Sequence, residues 1–328
     1  MTYRIASLFT GIGGFDLGFE RAGFEITFQC EIDKFCSSIL QRHWPDVKRH
    51  EDISNVSHTD IPVSDVWAGG FPCQDVSVAR MGPRAGLKGR RSGLFFEFSR
   101  LLESGRPRVV VIENVPGLLS SHGGRDFQII IQTLASFGYG VGWRVLNSRY
   151  FGVPQSRSRV FIVGCHRDRR GPGGILFEPQ RGTGDHQKGR SNGKKPVSPF
   201  KTRVGNPSKG PVTPALAYCL YACSARHTGT DWSRNYVSYP DGRVRRYMPI
   251  EAERLQGFPD GWTVSENGSS LATDPDSPRY HALGNAVTVP VAEWLARRIE
   301  TYLMGLASWD CADTTGDRVS SRELAPVI

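Results

Sequence analysis

Residues 69 to 79 read GGFPCQDVSVA, a glycine-flanked turn in which Cys73 directly follows a proline. A thiol in that setting has two readings. It fills space at a strand end, as a small buried hydrophobe does, or it is a nucleophile held at the carboxyl edge of a sheet. Two further clusters bear on the choice. Glu113 and Asn114 follow the apolar run 109–112. A partly desolvated carboxyl at such an edge keeps its proton toward neutral pH and can act as an acid; the plainer alternative is a Glu-Asn turn or cap. In GVPQSRSRVFIVG, Arg157 and Arg159 alternate at the start of a strand and so point the same way. Two guanidiniums on one face suit an anionic or carbonyl-rich ligand, or else a solvated edge.

Such groups need elements to position them. Short β-like runs are expected at Tyr3 to Phe9, Glu25 to Cys30, Asp65 to Ala68, Arg108 to Ile112, Gly140 to Leu146 and Arg159 to Val163. Amphipathic helical stretches lie between them, at Gly13 to Ala22, Asp33 to His43, Leu94 to Ser104 and Phe127 to Phe137. This alternation predicts an α/β fold, a mostly parallel sheet covered on both faces. Ligands of such sheets sit at the carboxyl ends of the strands. After Cys165 the chain turns rich in Gly, Pro, Arg and Lys, then regains aromatics around 214–242. It reads as a smaller basic module, with a linker as the alternative. NAVTVPVAEWLARRIETYLMG, 285 to 305, reads as a closing helix.

Composition narrows the class. The 328 residues suffice for one large core plus a smaller module. Lys and Arg number 41 against 32 Asp and Glu, a formal net charge of +9, which favours a polyanionic partner. Seven cysteines without short paired spacings fit free thiols in a reducing cytoplasm. No membrane span or targeting segment is read.

SLFTGIGGFDLGFERAGF carries a strand into Gly11, Gly13 and Gly14 and then into a helix. That resembles a dinucleotide-binding turn, in which backbone N–H groups face the ligand. Two strand-end carboxylates follow. A nicotinamide dinucleotide would use Glu31 alone on its ribose; a nucleoside would use Glu31 together with Asp52.

FTGIGGFDLGF, GGFPCQDVS, IENVPG, PQSRSRVFIVG, RLQGFP and HALGNAVTVPV occur in one order between residues 9 and 291, and in that order the chain resembles the cytosine-C5 DNA methyltransferases of prokaryotic or phage type. The resemblance implies a Rossmann-like S-adenosylmethionine-dependent methyltransferase fold with an inserted target-recognition domain. The expected division is a catalytic part, 1–165, a recognition part, 166–262, and a returning hinge and helix, 263–328. It also implies roles. The thiolate of Cys73 adds to C6 of a flipped cytosine, Glu113 serves N3, Arg159 faces the base, Arg157 supports the site or a phosphate, and Asn114 orients the loop. A free cysteine near pKa ~8.5 is only a few per cent thiolate at neutral pH, so the site must assist it. The cofactor would meet Phe9, Thr10, Gly11, Gly13, Gly14, Glu31, Ile32, Asp52, Ile53, Pro72, Leu94, Asn285 and Val287, and leave as S-adenosylhomocysteine.

In the family a mobile loop over the DNA follows the nucleophile. Here that stretch supplies Ser77, Arg80, Arg84, Lys88, Arg90 and Arg91, cations expected to meet phosphates of double-stranded DNA. Asp75-Val76 stands where the family often carries an aromatic residue, and the recognition interval is short. Cys219, Cys223 and His227 have helix-like spacing but no clear fourth ligand, so no metal is expected. A monomer is expected, with a cognate restriction endonuclease or defence proteins as further partners. Three other readings stand: a cytosine-5 methyltransferase acting on tRNA; a nicotinamide oxidoreductase, which leaves the Pro-Cys and Glu-Asn motifs without a role; and a catalytically dead DNA-binding relative, against which the intact Cys73, Glu113 and Arg159 argue.

Overall fold

The computed structural model describes residues 2–72, 94–178, 203–204, 213–214, 216–220, 236–264 and 276–313. Six strands, β1 (Arg4–Leu8), β2 (Glu25–Cys30), β3 (Lys48–His50), β4 (Val66–Gly69), β5 (Val109–Asn114) and β6 (Tyr139–Asn147), run in one direction. Two-residue β7 (Gln155–Ser156) precedes β8 (Ser158–His166), which lies antiparallel between β5 and β6. The sheet order is β3-β2-β1-β4-β5-β8-β6. The reversal follows from chain length: the ten residues 148–157 between β6 and β8 are too few for the crossover that parallel neighbours need.

The central strands are apolar without interruption because both faces are covered. On one face Ile5, Val66, Ala68, Val109, Val111 and Val163 meet α1 (Gly14–Arg21), α2 (Lys34–His43) and the C-terminal helices. On the other, Leu8, Phe28, Trp67, Val110, Ile112 and Ile162 meet α3 (Leu94–Gly105) and α4 (Arg125–Ser136). In α3 the buried Phe95, Phe98, Leu101 and Leu102 recur at helical spacing on one stripe. Asp33 caps α2 by accepting from the Cys36 N–H at 2.9 Å.

The Gly/Pro-rich stretch after Cys165 opens with a short helix, α5 (Gly171–Leu176), whose Ile175 and Leu176 are buried in the first core. Short strands follow: β9 (Arg203–Val204) with β10 (Thr213–Pro214), β11 (Ala217–Tyr218) parallel to β7, and the hairpin β12 (Tyr236–Ser238) with β13 (Val244–Arg246). Then come α6 (Pro249–Gln256), α7 (Asp276–Asn285) and α8 (Val289–Asp313). The expected closing helix, 285–305, is α8 and begins at Val289 rather than 285, because α7 ends at Asn285 and residues 286–288 separate the two. No helix among the described residues is long and apolar enough to cross a membrane.

Behind the glycine turn, Asp16 is fully buried. Its Oδ1 accepts from Gln29 Nε2 at 2.9 Å, Gln29 Oε1 accepts from Arg49 Nη2 at 2.7 Å, and Asp16 Oδ2 has no partner. Desolvation raises this carboxyl from 3.8 to about 6, against the opposing pull of Gln29 and Ser7. The folded state therefore holds this proton at pH values where the unfolded chain has released it. Burial of the carboxylate is a penalty that grows as pH rises from about 4 through about 6 and persists above. Asp16→Asn keeps the acceptor for Gln29 and removes the charge. It is expected to stabilise the protein by about 1–3 kcal/mol at pH 8 and to have little effect at pH ~3, below the unfolded-state pKa. Urea midpoints at the two pH values check this; an equal shift at both would contradict it.

Candidate active site

The carboxyl ends of β1, β2, β4, β5 and β6 and the start of β8 lie along one edge of the sheet. On that edge β5 delivers Glu113 and Asn114, and β8 delivers Arg159. Arg159 Nε lies 3.0 Å from Glu113 Oε1, with the two side chains only 16% and 10% exposed. The Arg159 guanidinium is thus the partner of Glu113 Oε1 in a buried setting. Desolvation raises the Glu113 pKa, and the charges of Arg159 and Arg157 pull it part of the way back. The result is a carboxyl that keeps a proton more readily than an exposed one.

Gly70 makes room for that carboxyl. A Cβ at Gly70 would stand 3.0 Å from Glu113 Oε2. Asn114 Nδ2 donates to Phe71 O at 3.3 Å, and Asn114 Oδ1 accepts from Val115 N at 2.8 Å. Glu113 and Asn114 are thus fastened to the strand that leads into the Pro-Cys turn. Pro72 is half-buried at its end. Cys73 lies outside the described residues, as do Ser77, Arg80, Arg84, Lys88, Arg90, Arg91, Cys223 and His227.

Arg157 does face the same way as Arg159, but from the break between β7 and β8 rather than from within a strand. It is 1% exposed. Its Nη1 donates to Leu220 O at 3.0 Å, and its Nη2 donates to Gly284 O at 3.1 Å and Ala286 O at 2.9 Å. Gln155 completes the joint: its Oε1 accepts from Leu220 N at 2.9 Å and its Nε2 donates to Leu255 O at 2.8 Å. Leu220 is therefore gripped through both of its backbone polar groups. This places Cys219 Sγ 3.5 Å from Arg157 Nη1 and 4.0 Å from Arg159 Nη1. Spacing alone paired Cys219 with residues downstream of it; the fold puts it beside the two guanidiniums.

A second cluster lies at the ends of β1 and β2. Phe9, Gly11 and Gly13 all adopt left-handed backbone, with φ of 55°, 59° and 83°. For Phe9 that conformation is strained. The turn aims Gly11 N at Glu31 Oε2, 2.6 Å away, while Glu31 Oε1 accepts from Asp33 N at 2.8 Å. Burial raises the Glu31 pKa, opposed by these two N–H donors. Each carboxylate oxygen retains a lone pair for a ligand hydroxyl. Thr10 Oγ1 bonds the carbonyls of Ser7 and Cys30, which ties the turn to both strands. Ile32, next to Glu31, is 69% exposed. Asp52 caps the one-turn helix Ile53–Asn55 through Ser54 N at 2.9 Å, a bond that lowers its pKa. Ile53 and Leu94 pack with the second core.

Gly13 and Gly14 serve packing as well as conformation. A Cβ at Gly13 would lie 2.4 Å from the Trp44 ring, and one at Gly14 2.4 Å from Val287 O. The α7–α8 break thereby presses Val287 against the glycine turn, while Asn285 stands exposed at the end of α7. The contributions of Gly70, Gln155 and Cys219 were not read from sequence. The glycine pair before Phe71-Pro72 was the signal available for Gly70; the other two depend on contacts between distant segments.

Six co-directed strands with one reversed strand set between the last two, and a glycine turn facing a strand-end carboxylate, define an α/β methyltransferase fold. A methyltransferase of Entamoeba histolytica superposes with a TM-score of 0.65 over 93% of this chain and 99% of its own, at 18% identity. A putative DNA modification methyltransferase from a prophage of E. coli does so at 0.60 over 92% and 100%, also at 18% identity. Residues 3–180 and 177–301 match the C-5 cytosine-specific DNA methylases, and the chain belongs to that family. The type II methyltransferase M.NgoBI of Neisseria gonorrhoeae is 33% identical over 310 residues, covering 89% of this chain and 91% of that protein. M.NlaX of Neisseria lactamica, likewise a type II methyltransferase, is 31% identical over 323 residues, covering 93% and 98%.

Proposed function

We propose that the protein transfers a methyl group from S-adenosylmethionine to C5 of a cytosine flipped out of a short specific sequence in double-stranded DNA, through a covalent adduct between Cys73 and C6. The observation that carries this reading is the Glu113–Arg159 pair: a buried carboxyl with a raised pKa and a guanidinium 3.0 Å from its Oε1. C5 of cytosine is a poor nucleophile until the ring is activated. The Cys73 thiolate adds to C6 while Glu113 gives its proton, or a hydrogen bond, to N3, so that C5 gains enamine character. Arg159 balances the charge that shifts onto Glu113 and the base. After C5 is methylated, a base removes the C5 proton and the Cys73 thiolate leaves from C6. Arg157, with its guanidinium committed to three carbonyls, is a positioning residue here, and Asn114 holds the turn ahead of Cys73.

The residues at the ends of β1 and β2 fit the cofactor. Space above Gly11 is open, Glu31 retains acceptor capacity for ribose hydroxyls, and Ile32 offers an exposed apolar face. When bound, the sulfonium supplies an electrophilic methyl group. Phe9, Thr10, Gly11, Gly13, Gly14, Glu31, Ile32, Asp52, Ile53, Pro72, Leu94, Asn285 and Val287 form this site in our reading. Glu31→Ala removes the ribose acceptor and the partner of Gly11 N. It is expected to weaken S-adenosylhomocysteine binding about 10- to 100-fold, the range for lost bonds to a charged group. Calorimetric titration checks this, and unchanged affinity would refute the assignment.

The catalytic part, 1–165, the recognition part, 166–262, and the returning segment, 263–328, hold the DNA between them, with Ser77, Arg80, Arg84, Lys88, Arg90 and Arg91 on its phosphates. Both edges of the recognition interval pack on the catalytic part, α5 at one end and residues 257–262 at the other. A role beside a cognate restriction endonuclease, or in phage defence, accords with the type II relatives. Cytosine-conversion sequencing of DNA from cells with and without this chain tests the function. Methylation at one short motif supports it; unmodified DNA from folded protein would overturn it in favour of tRNA, assayed next.

A further inference from the structure

Trp262 lies five residues beyond the αL cap of α6, is 7% exposed, and donates from its indole Nε1 to Ile12 O at 2.9 Å. Ile12 is the residue between the left-handed Gly11 and Gly13. A peptide flanked by such glycines turns over at little steric cost, and the helix α1 begins only at Gly14. The Ile12 carbonyl thus receives its donor from 250 residues away in sequence.

The placement of Trp262 is fixed from several sides. Glu253 Oε2 accepts from Gly261 N at 2.7 Å and Glu253 Oε1 from Thr263 N at 2.9 Å, which bracket the tryptophan. Its ring stacks on His43 with centroids 3.4 Å apart and planes at 5°. Arg42 Nη2 donates to Gly261 O at 3.1 Å. The neighbouring Trp44, 5.6 Å from Trp262 edge to face, fills the space left by Gly13. A rigid indole N–H is thereby aimed at the Ile12–Gly13 peptide, two peptides downstream of the Gly11 N–H that meets Glu31.

We propose that Trp262 is a positioning residue for the cofactor turn: its indole N–H holds the Ile12 peptide so that Gly11 N stays on Glu31. The proposal rests on the cofactor reading above, but one arm of its test does not. Trp262→Phe keeps a ring on His43 and deletes the N–H. In the cofactor-free protein, hydrogen exchange at the amides of 11–14 is expected to quicken about three- to tenfold, with exchange in β4 and β5 unchanged. Affinity for S-adenosylhomocysteine is expected to fall by a similar factor. His43→Ala removes the stack and the His43 Nε2 contact with Trp262 O but not the indole donor, and is expected to leave both quantities within about twofold of wild type while lowering the melting temperature. Exchange at 11–14 and affinity both unchanged in Trp262→Phe overturn the proposal. So does a His43→Ala variant that loses as much as Trp262→Phe, because packing and not the N–H then sets the turn. Trp262→Tyr, also without the indole N–H, carries the same expectations if the phenylalanine variant does not fold. Wild-type protein that fails to bind S-adenosylhomocysteine would count against the cofactor reading alone, and the exchange result would still decide the role of Trp262.

Discussion

Glu113→Gln is expected to slow methyl transfer about 10²–10⁴-fold, the usual worth of a positioned proton donor, while S-adenosylhomocysteine affinity changes little. Glutamine fills the same space between Gly70 and Arg159 and still offers an N–H to N3, but has no proton to give. Cys73→Ala sets the floor, with no transfer at all, since the adduct then lacks its nucleophile. Single-turnover transfer of labelled methyl groups to DNA measures both. The pH dependence separates an acid from a mere hydrogen-bond partner. Glu113 holds its proton above the ordinary carboxylate range, so the wild-type rate falls on the alkaline side as that proton is lost. The glutamine variant lacks that limb. A Glu113→Gln rate within about tenfold of wild type would remove Glu113 from the role of acid.

Arg279→Met is expected to cost about 3–5 kcal/mol of folding stability, because it leaves the Glu253 carboxylate buried without its cation. The side chains of Arg279 and Glu253 are 2% and 0% exposed and lie 3.1 Å apart. Arg279 Nε also donates to Thr263 Oγ1 at 2.8 Å, and Glu253 holds the backbone of Gly261 and Thr263. The double variant Glu253→Gln, Arg279→Met is expected to recover part of the loss, since a neutral amide oxygen still accepts from Thr263 N without a buried charge. Denaturant unfolding of the two variants gives the comparison. A loss below about 1 kcal/mol in the single variant would mean that the pair behaves like a solvated surface bridge.

The elements around this site were unequally readable. The runs at 4–8, 25–30, 66–69 and 109–114 are dominated by buried apolar residues because helices cover both faces, and their expected limits fall within two residues of those observed. The stripes of α3 and α4 were equally plain. β3 has three residues at the sheet edge and carries Lys48, Arg49 and His50, a pattern without any apolar signal. The reversal of β8 is a property of neighbours, invisible in the run itself. So is the end of the closing helix: residues 285–288 carry an amphipathic pattern, yet the bonds of Arg157 to Gly284 O and Ala286 O and the pressure of Val287 on Gly14 require a break there. Glu113, Asn114, Glu31 and the glycine turn were named from residue type and order. What each one touches, Gly70 against Glu113 and Trp262 against Ile12, depends on segments 40 to 250 residues distant and had no local mark.

The joint at Leu220 has a bearing on how such a protein changes over generations. Gln155 and Arg157 grasp main-chain atoms there, and Ala217 N is held by Pro154 O at 2.7 Å. A socket that holds peptide units constrains the side chains plugged into it only where they are buried, at Ala217 and Leu220, or face Arg157, at Cys219. Sequence inside the recognition interval is therefore freer to drift than Ala217, Leu220, Glu253 and Trp262, whose buried contacts seat the interval on the rest of the chain. Chimeras that exchange sequence within the interval while retaining Gln155, Arg157, Glu253 and Trp262 should stay folded and, on the proposed recognition role, gain the donor's sequence preference.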